Sequence, residues 1–469
     1  MRTLYKRLEN SVLFLFLWKK YKRIKNVIKS RKIKRVIARK KNWDEILTYN
    51  DLWVLIDNNR KKFDECVLKA NRNAISKLRD KEIIHVGFLV YSASIWPYDS
   101  LYRLMENDRR FEPIIVICAL NDGTDRTILE QYNTTKEWFL KKNCNVLGIF
   151  RENENLIWDK LNLDMVFSAI PYTNLLPSKF EYGELRVNIP IIYIPYGAAI
   201  NEMSDRYFNM KIHNIAWKLF YETDIQKNIA EKKADNNGVN VIVSGYPKMD
   251  VYFEKGDKNF SNLWKGNDNA KKIIYAPHHS LMRKTSRYAT FDENYLFMLD
   301  YVRNHTNDTS WIIKPHPLLK KACLEYGLFK SEEEYDRYLN EWEALPNAKV
   351  VLTGDYLEYF ISSDAMVLDS ESFLYEYQYT HKPLLFLTRP TQSFNEFGRK
   401  LLNILYKVPG GDKEKIFEFL DNVVLNGNDT MESIRLEFFN EYLDYRKQNN
   451  GLGAGEFIFA YLKDQVTKR

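Results

Sequence analysis

Residues 364–387 read DAMVLDSESFLYEYQYTHKPLLFL, and the order of their apolar and polar stretches decides the architecture. DAMVL (364–368) and PLLFL (383–387) are short, almost uninterrupted apolar runs, as expected of strands buried on both faces. Between them, Asp369-Ser370-Glu371-Ser372 forms a polar strand end, and the residues that follow, Glu376 among them, read as a helix. Strand, crossover helix, strand is the unit of a parallel sheet.

The same grammar extends in both directions. Upstream lie KIIYA (272–276), SWIIK (310–314) and AKVVL (348–352), with helical stretches at 293–304 and 331–343. An earlier series comprises IIHVGFLVY (83–91), PIIVICA (113–119), residues 145–149, DMVFSA (164–169), PIIYI (190–194) and NVIVS (240–244). Its helices fall at 99–106 and 127–142. The two series are separated by a polar stretch without periodicity, 255–269, which reads as a linker. The expected fold is therefore α/β: two facing, doubly wound Rossmann-like domains, at 81–265 and 266–469, preceded by a basic helical region at 1–80.

Charge is distributed unevenly along the 469 residues. Residues 1–41 carry 16 Lys/Arg and the single acid Glu9, a local charge of +15, whereas the remainder carries −7. The apolar run at 12–18 is far too short to cross a bilayer. Charge mostly follows that run and no small-residue cleavage site is present, so a signal peptide is excluded. Nucleic acid is not the expected partner, because no binding motif accompanies the tail and the body would repel phosphate. An interfacial anchor on an anionic membrane surface fits better: Leu13 to Trp18 insert and the following cations meet lipid headgroups. The four cysteines are scattered without a CxxC pair and read as the reduced thiols of a cytoplasmic protein. Neither metal-ligand spacings nor dinucleotide or P-loop motifs occur, so no metal and no cofactor is expected.

In open α/β sheets, ligands bind beyond the carboxyl ends of the strands. Four such ends in the second series carry polar chemistry. KIIYA leads into Pro277-His278-His279-Ser280, with Arg283, Lys284 and Arg287 close behind; SWIIK ends on Lys314 and leads into Pro315-His316-Pro317. DAMVL leads into Asp369, Ser370 and Ser372, and PLLFL into Thr388-Arg389. Together they make a site for an anion. The serine hydroxyls and the first N–H groups of the next helix can hold phosphate, although Asp369, Ser370 or Ser372 could equally cap that helix. Two prolines fix the backbone at His316, which can stabilise charge on a phosphoryl oxygen. Arg389 can bind phosphate through two N–H groups, or pair with Glu396.

These residues resemble the CDP-glycerol glycerophosphotransferases that build teichoic acids and related bacterial capsular polymers. Ser244-Gly245-Tyr246-Pro247-Lys248-Met249-Asp250 is similar to the family's G-x-P-x-x-D segment, and Tyr275-Ala276-Pro277 to its Y-A-P opening. Lys314-Pro315-His316-Pro317 resembles the K-x-H-P strand end, and 363–376 with Lys382-Pro383 the diphosphate-binding block. The resemblance implies a GT-B fold, peripheral membrane association at the cytoplasmic face, a CDP-glycerol or similar CDP-polyol donor and a lipid-linked acceptor. It implies His316 and Lys314 as catalytic residues, with His278, His279, Asp369, Ser370, Ser372, Glu376 and Arg389 against the donor. Pro195, Tyr196 and Gly197 fall where the family has the W-H-G of its acceptor-side catalytic segment. Tyr196 thus replaces a histidine, and a phenol of ordinary pKa is a poor base at neutral pH. Glu371 likewise replaces the first serine of the family's D-Y-S-S. Alternatives stay open: D-S-E-S-x-x-x-E with K-P-L-L-F-L-x-R also resembles UDP-N-acetylglucosamine 2-epimerases of the same fold, a glycosyltransferase of that fold fits equally, and the missing histidine suits a non-catalytic paralogue.

Overall fold

The computed structural model describes residues 60–467 except 122, 124, 151–159, 173–174, 182, 184, 186, 203–206, 255–259, 282–286 and 353–355. The basic tail, and with it the expected membrane anchor, lies outside the described residues, as do Arg283 and Lys284.

Two parallel sheets form. The first contains β1 (Ile84–Val90), β2 (Phe111–Cys118), β3 (Val146–Ile149), β4 (Met165–Ser168), β5 (Ile191–Tyr193), β6 (Lys218–Tyr221) and β7 (Val241–Val243), in the spatial order β3-β2-β1-β4-β5-β6-β7. The second contains β8 (Lys271–Ala276), β9 (Thr309–Ile313), β10 (Ala348–Val350), β11 (Ala365–Leu368), β12 (Leu384–Thr388) and β13 (Tyr406–Pro409), ordered β10-β9-β8-β11-β12-β13. Each sheet reverses direction once, beside β1 and beside β8, which are the switch points where ligands lodge. Every expected strand is present within two residues at each end. Two were missed: β6 and β13, each of four residues. Side chains of β11 and β12 are buried on both faces, as their apolar runs require.

Helix Arg60–Arg79 buries Phe63, Val67, Ala74, Ile75 and Leu78 along one stripe and packs on helix Ala454–Val466. That C-terminal helix thus returns to the first sheet, against helix Asp99–Glu106, rather than staying with the second. The approach is close: a Cβ on Gly455 would lie 2.2 Å from Ser100 Oγ. Asp250 secures the crossing by accepting hydrogen bonds from Ser100 Oγ (2.6 Å), Tyr445 Oη (2.6 Å) and the backbone N–H groups of Ala454 (2.7 Å) and Gly455 (2.8 Å). Nearby, Gly245 adopts φ +78° and lies under the Tyr445 ring, a position no side chain could share.

The sheets meet through an aromatic seam in which Tyr246 faces Tyr375 and Tyr252 faces Tyr379, at ring separations of 6.1 and 5.8 Å. Lys248 and Glu376 form a buried ion pair across it at 3.3 Å. A second contact joins the loop after β5 to the second domain: Asn395 donates to Ala199 O (2.7 Å), and Ile200 O accepts from Asn395 N (2.9 Å). Among the described residues no helix is long and apolar enough to cross a membrane, and all four cysteines are free thiols.

Candidate active site

The strand ends of the second sheet are tied together by Asp369. Its buried carboxylate accepts from His278 N (2.6 Å), Thr290 N (2.5 Å) and Thr290 Oγ1 (2.8 Å). Burial pushes its carboxyl up to about 6. Asp369, expected against the donor, therefore holds the histidine loop in place. None of Asp369, Ser370 and Ser372 caps the next helix; Glu371 occupies that position and sends its side chain elsewhere.

Three imidazoles gather here. His279 and His316 stack at 4.0 Å between centroids, with His278 4.3 Å from His279 and 5.2 Å from His316. His316 Nδ1 accepts from Leu318 N (3.1 Å), which places the proton of the neutral ring on Nε2. His278 Nδ1 lies 2.9 Å from Ser280 Oγ, which already accepts from Tyr288 N (2.8 Å) and Ala289 N (3.2 Å). The serine proton therefore goes to Nδ1, and His278 also carries its own proton on Nε2. One nitrogen from each ring lies within 4.8 Å of the other two, a spacing a cation could bridge. At His278 and His316 the tautomers favour the opposite charge, because a ligating Nε2 needs its proton on Nδ1. The cluster suits an anion.

Two expected donor ligands are engaged elsewhere. Glu376 accepts from Tyr356 Oη at 2.5 Å and from Lys248, so its carboxylate belongs to the interdomain seam. Arg389 Nη2 contacts Asp292 (2.9 Å) and Glu293 (2.8 Å) at the start of helix Phe291–Asn304 rather than Glu396, and Asp292 also pairs with Arg287 at 2.6 Å. Carboxylates thus engage one nitrogen, Nη2, of the guanidinium that was expected to grip phosphate. Lys314, at the end of β9, lies 5.4 Å over the Tyr356 ring, and Ser370 is half-buried at the end of β11.

Across the cleft, Pro195, Tyr196 and Gly197 line a cavity of about 80 Å³ with Tyr172, Tyr207, Asn201, Glu371 and Ser372. That space exceeds several water molecules. Ser372 Oγ lies 3.5 Å from where a Gly197 side chain would begin, so the expected acceptor loop and an expected donor serine share one wall. Tyr196 and Tyr172 hydroxyls are 3.3 Å apart. Burial raises the Tyr196 phenol above 10, the wrong direction for a base, so it stays a hydrogen-bond donor. Glu371 Oε2 accepts from Asn201 Nδ2 at 2.7 Å. In the sequence, Glu371 stands out only as a departure from the family pattern and as part of the epimerase-like D-S-E-S, whereas Tyr172 and Asn201 follow strand ends without any motif.

Glu222, at the end of β6, was also missed. It is 3% exposed, and neither carboxyl oxygen has a hydrogen-bond partner among the described residues. Burial raises its carboxyl from the ordinary 4.5 to about 7. The folded chain then holds a proton between those values that the unfolded chain has released, so stability falls as pH rises through that window. Glu222→Gln should remove this loss. Its advantage over wild type in urea unfolding should grow from pH 4.5 to 7, towards about 3 kcal/mol, and then level off. A pH-independent difference would show that the carboxyl is not protonated in the folded state.

Residues 205–452, more than half of the chain, match the family of CDP-glycerol:poly(glycerophosphate) glycerophosphotransferases. The chain belongs to that family. It is a transferase of the glycerophosphotransferase class, and its two-sheet architecture is the GT-B-like fold. Among solved structures, the wall teichoic acid polymerase TagF matches at 13% identity and TM-score 0.54, over 94% of this chain and 99% of that one. A TagF variant soaked with CDPG matches at TM-score 0.53 and 13% identity, over 94% and 98%. The S. aureus MnaA–UDP structure matches at TM-score 0.50 and 13% identity, over 81% and 96%. At such identities these likenesses concern the fold. No curated protein is significantly similar in sequence. Within this glycerophosphotransferase, the strand-end histidines lie in the matched segment, whereas Tyr196 precedes it.

Proposed function

We propose that the enzyme transfers glycerol phosphate, or a related polyol phosphate, from a CDP-activated donor to a hydroxyl of a lipid-linked cell-surface polymer of the teichoic acid kind, releasing CMP. The observation that carries this reading is the imidazole cluster at the second sheet's switch point, within a glycerophosphotransferase segment. That a TagF variant of the same fold was soaked with CDPG supports the donor class. The diphosphate lies against His278, His316, Ser370 and Ser372, where two Nε2–H groups and two hydroxyls complement its charge. The acceptor enters beside Pro195–Gly197 and attacks the phosphorus bearing glycerol in line. As the anhydride bond breaks, the His316 N–H stabilises charge on the phosphoryl oxygens, with Lys314 adding a positive charge. The test is CMP release from CDP-glycerol, with CDP-ribitol and UDP-GlcNAc as competing donors. Cytidine donors should be consumed, and exclusive consumption of UDP-GlcNAc would point to the epimerase-like alternative.

The same reading puts the enzyme peripherally on the cytoplasmic face of the membrane, held by residues 1–41 on anionic lipid. Deleting those residues should abolish co-sedimentation with phosphatidylglycerol vesicles at low salt; undiminished sedimentation would refute the anchor.

A further inference from the structure

The transfer needs a group to take the acceptor's proton, and Tyr196, standing where the family has histidine, cannot take it. We infer that Glu371 is the general base of the reaction, supplied from the second domain across the cleft. This rests on the function proposed above.

Geometry carries the assignment. Glu371 lines the cavity beside Tyr196 and Gly197 and is the only carboxylate among the described residues of that lining, from which histidine and lysine are absent. Its position is set on both sides. Asn201 Nδ2 donates to Oε2 at 2.7 Å, which orients the carboxylate in the acceptor loop. The backbone on the other side is fixed two residues away, where Asp369 grips the histidine loop. Ser372, the next residue, contacts the same wall as Gly197. A base at this point lies between the two substrates. Among the described residues, the titratable groups seen to interact with it include four phenols: Tyr172, Tyr196 and Tyr207 from the first domain and Tyr288 from the second. Burial raises all four, so they donate and do not compete for the proton near neutral pH.

The step balances. The acceptor O–H bond breaks and its proton passes to the Glu371 carboxylate. The oxygen forms a bond to the phosphorus bearing glycerol, and the anhydride P–O bond breaks with its electron pair leaving on CMP. Glu371 then returns the proton to water.

The experiment compares wild type, E371Q and E371D, with CDP-glycerol as donor and a short-chain alkyl glycerol phosphate as acceptor probe. CMP release is followed from about pH 3.5 to 9, spanning the ordinary carboxyl range, and CDP-glycerol affinity is measured separately by calorimetry. E371Q retains an oxygen that can accept from Asn201, so its donor affinity should stay within a few-fold. Its turnover should fall about 10²- to 10⁴-fold and lose the acidic limb of the pH profile, with E371D restoring part of the rate. Wild-type turnover together with an E371Q rate within a few-fold, limb intact, would overturn this assignment alone. A wild-type enzyme that neither binds nor consumes CDP-glycerol would overturn both the assignment and the function beneath it.

Discussion

Replacing His316 with alanine is expected to lower CMP release from CDP-glycerol by about 10²- to 10³-fold, the usual cost of losing a donor aimed at developing phosphoryl or oxyanion charge. The residue is built for that task. Its N–H donates to Pro277 O at 3.0 Å, its carbonyl accepts from Leu319 N at 2.8 Å, and its Nδ1 accepts from Leu318 N. Backbone and tautomer are therefore fixed before any substrate arrives. The ring is half-buried and stacks on His279, so its removal costs little packing. The melting temperature should shift by no more than about 3 °C, on the order of 1 kcal/mol. Near-normal turnover by a folded His316→Ala variant would remove this histidine from the mechanism.

The largest stability effect is expected at Asp250. Alanine there leaves four donors without an acceptor: Ser100, Tyr445 and the first two N–H groups of helix Ala454–Val466. Buried donors left unmade cost about 1–3 kcal/mol each, partly relieved by water at a helix end, so a total near 3 kcal/mol follows. Because the contact binds the C-terminal helix to the first domain, thermal unfolding should begin about 5–10 °C earlier and that helix should exchange amide hydrogens faster. Asp250→Asn keeps one acceptor oxygen and should fall between. An alanine variant that melts with wild type would mean that the crossing is held by apolar contact alone.

The architecture was readable because buried parallel strands need continuous apolar runs, and β8, β9, β11 and β12 provide them. The missed strands show the limit. Lys218–Tyr221 begins with a charge, and Tyr406–Pro409 carries the exposed Lys407 and ends on proline, so neither offers a run long enough to stand out. The return of helix Ala454–Val466 to the first sheet was equally hidden, since its anchor, Asp250, lies some 200 residues upstream. In the candidate site, His278, His316 and Ser372 stand just beyond β8, β9 and β11, where the apolar runs of the sequence place them. What one sequence cannot give is the choice of partner. Arg389 is held by Asp292, 97 residues away, and Glu376 by Lys248, 128 residues away. Glu371 shows the same effect in reverse: a residue that breaks the family pattern gains a place in the cleft through Asn201, on the other domain.

A calorimetric titration of the full-length chain with CDP-glycerol, and in parallel with UDP-GlcNAc, decides whether the strand-end cluster holds a cytidine-linked diphosphate. CDP-glycerol should bind at least about tenfold more tightly, a difference of about 1.4 kcal/mol, and His316→Ala should weaken it. Tighter binding of UDP-GlcNAc, or a CDP-glycerol affinity indifferent to His316, would contradict the proposed site.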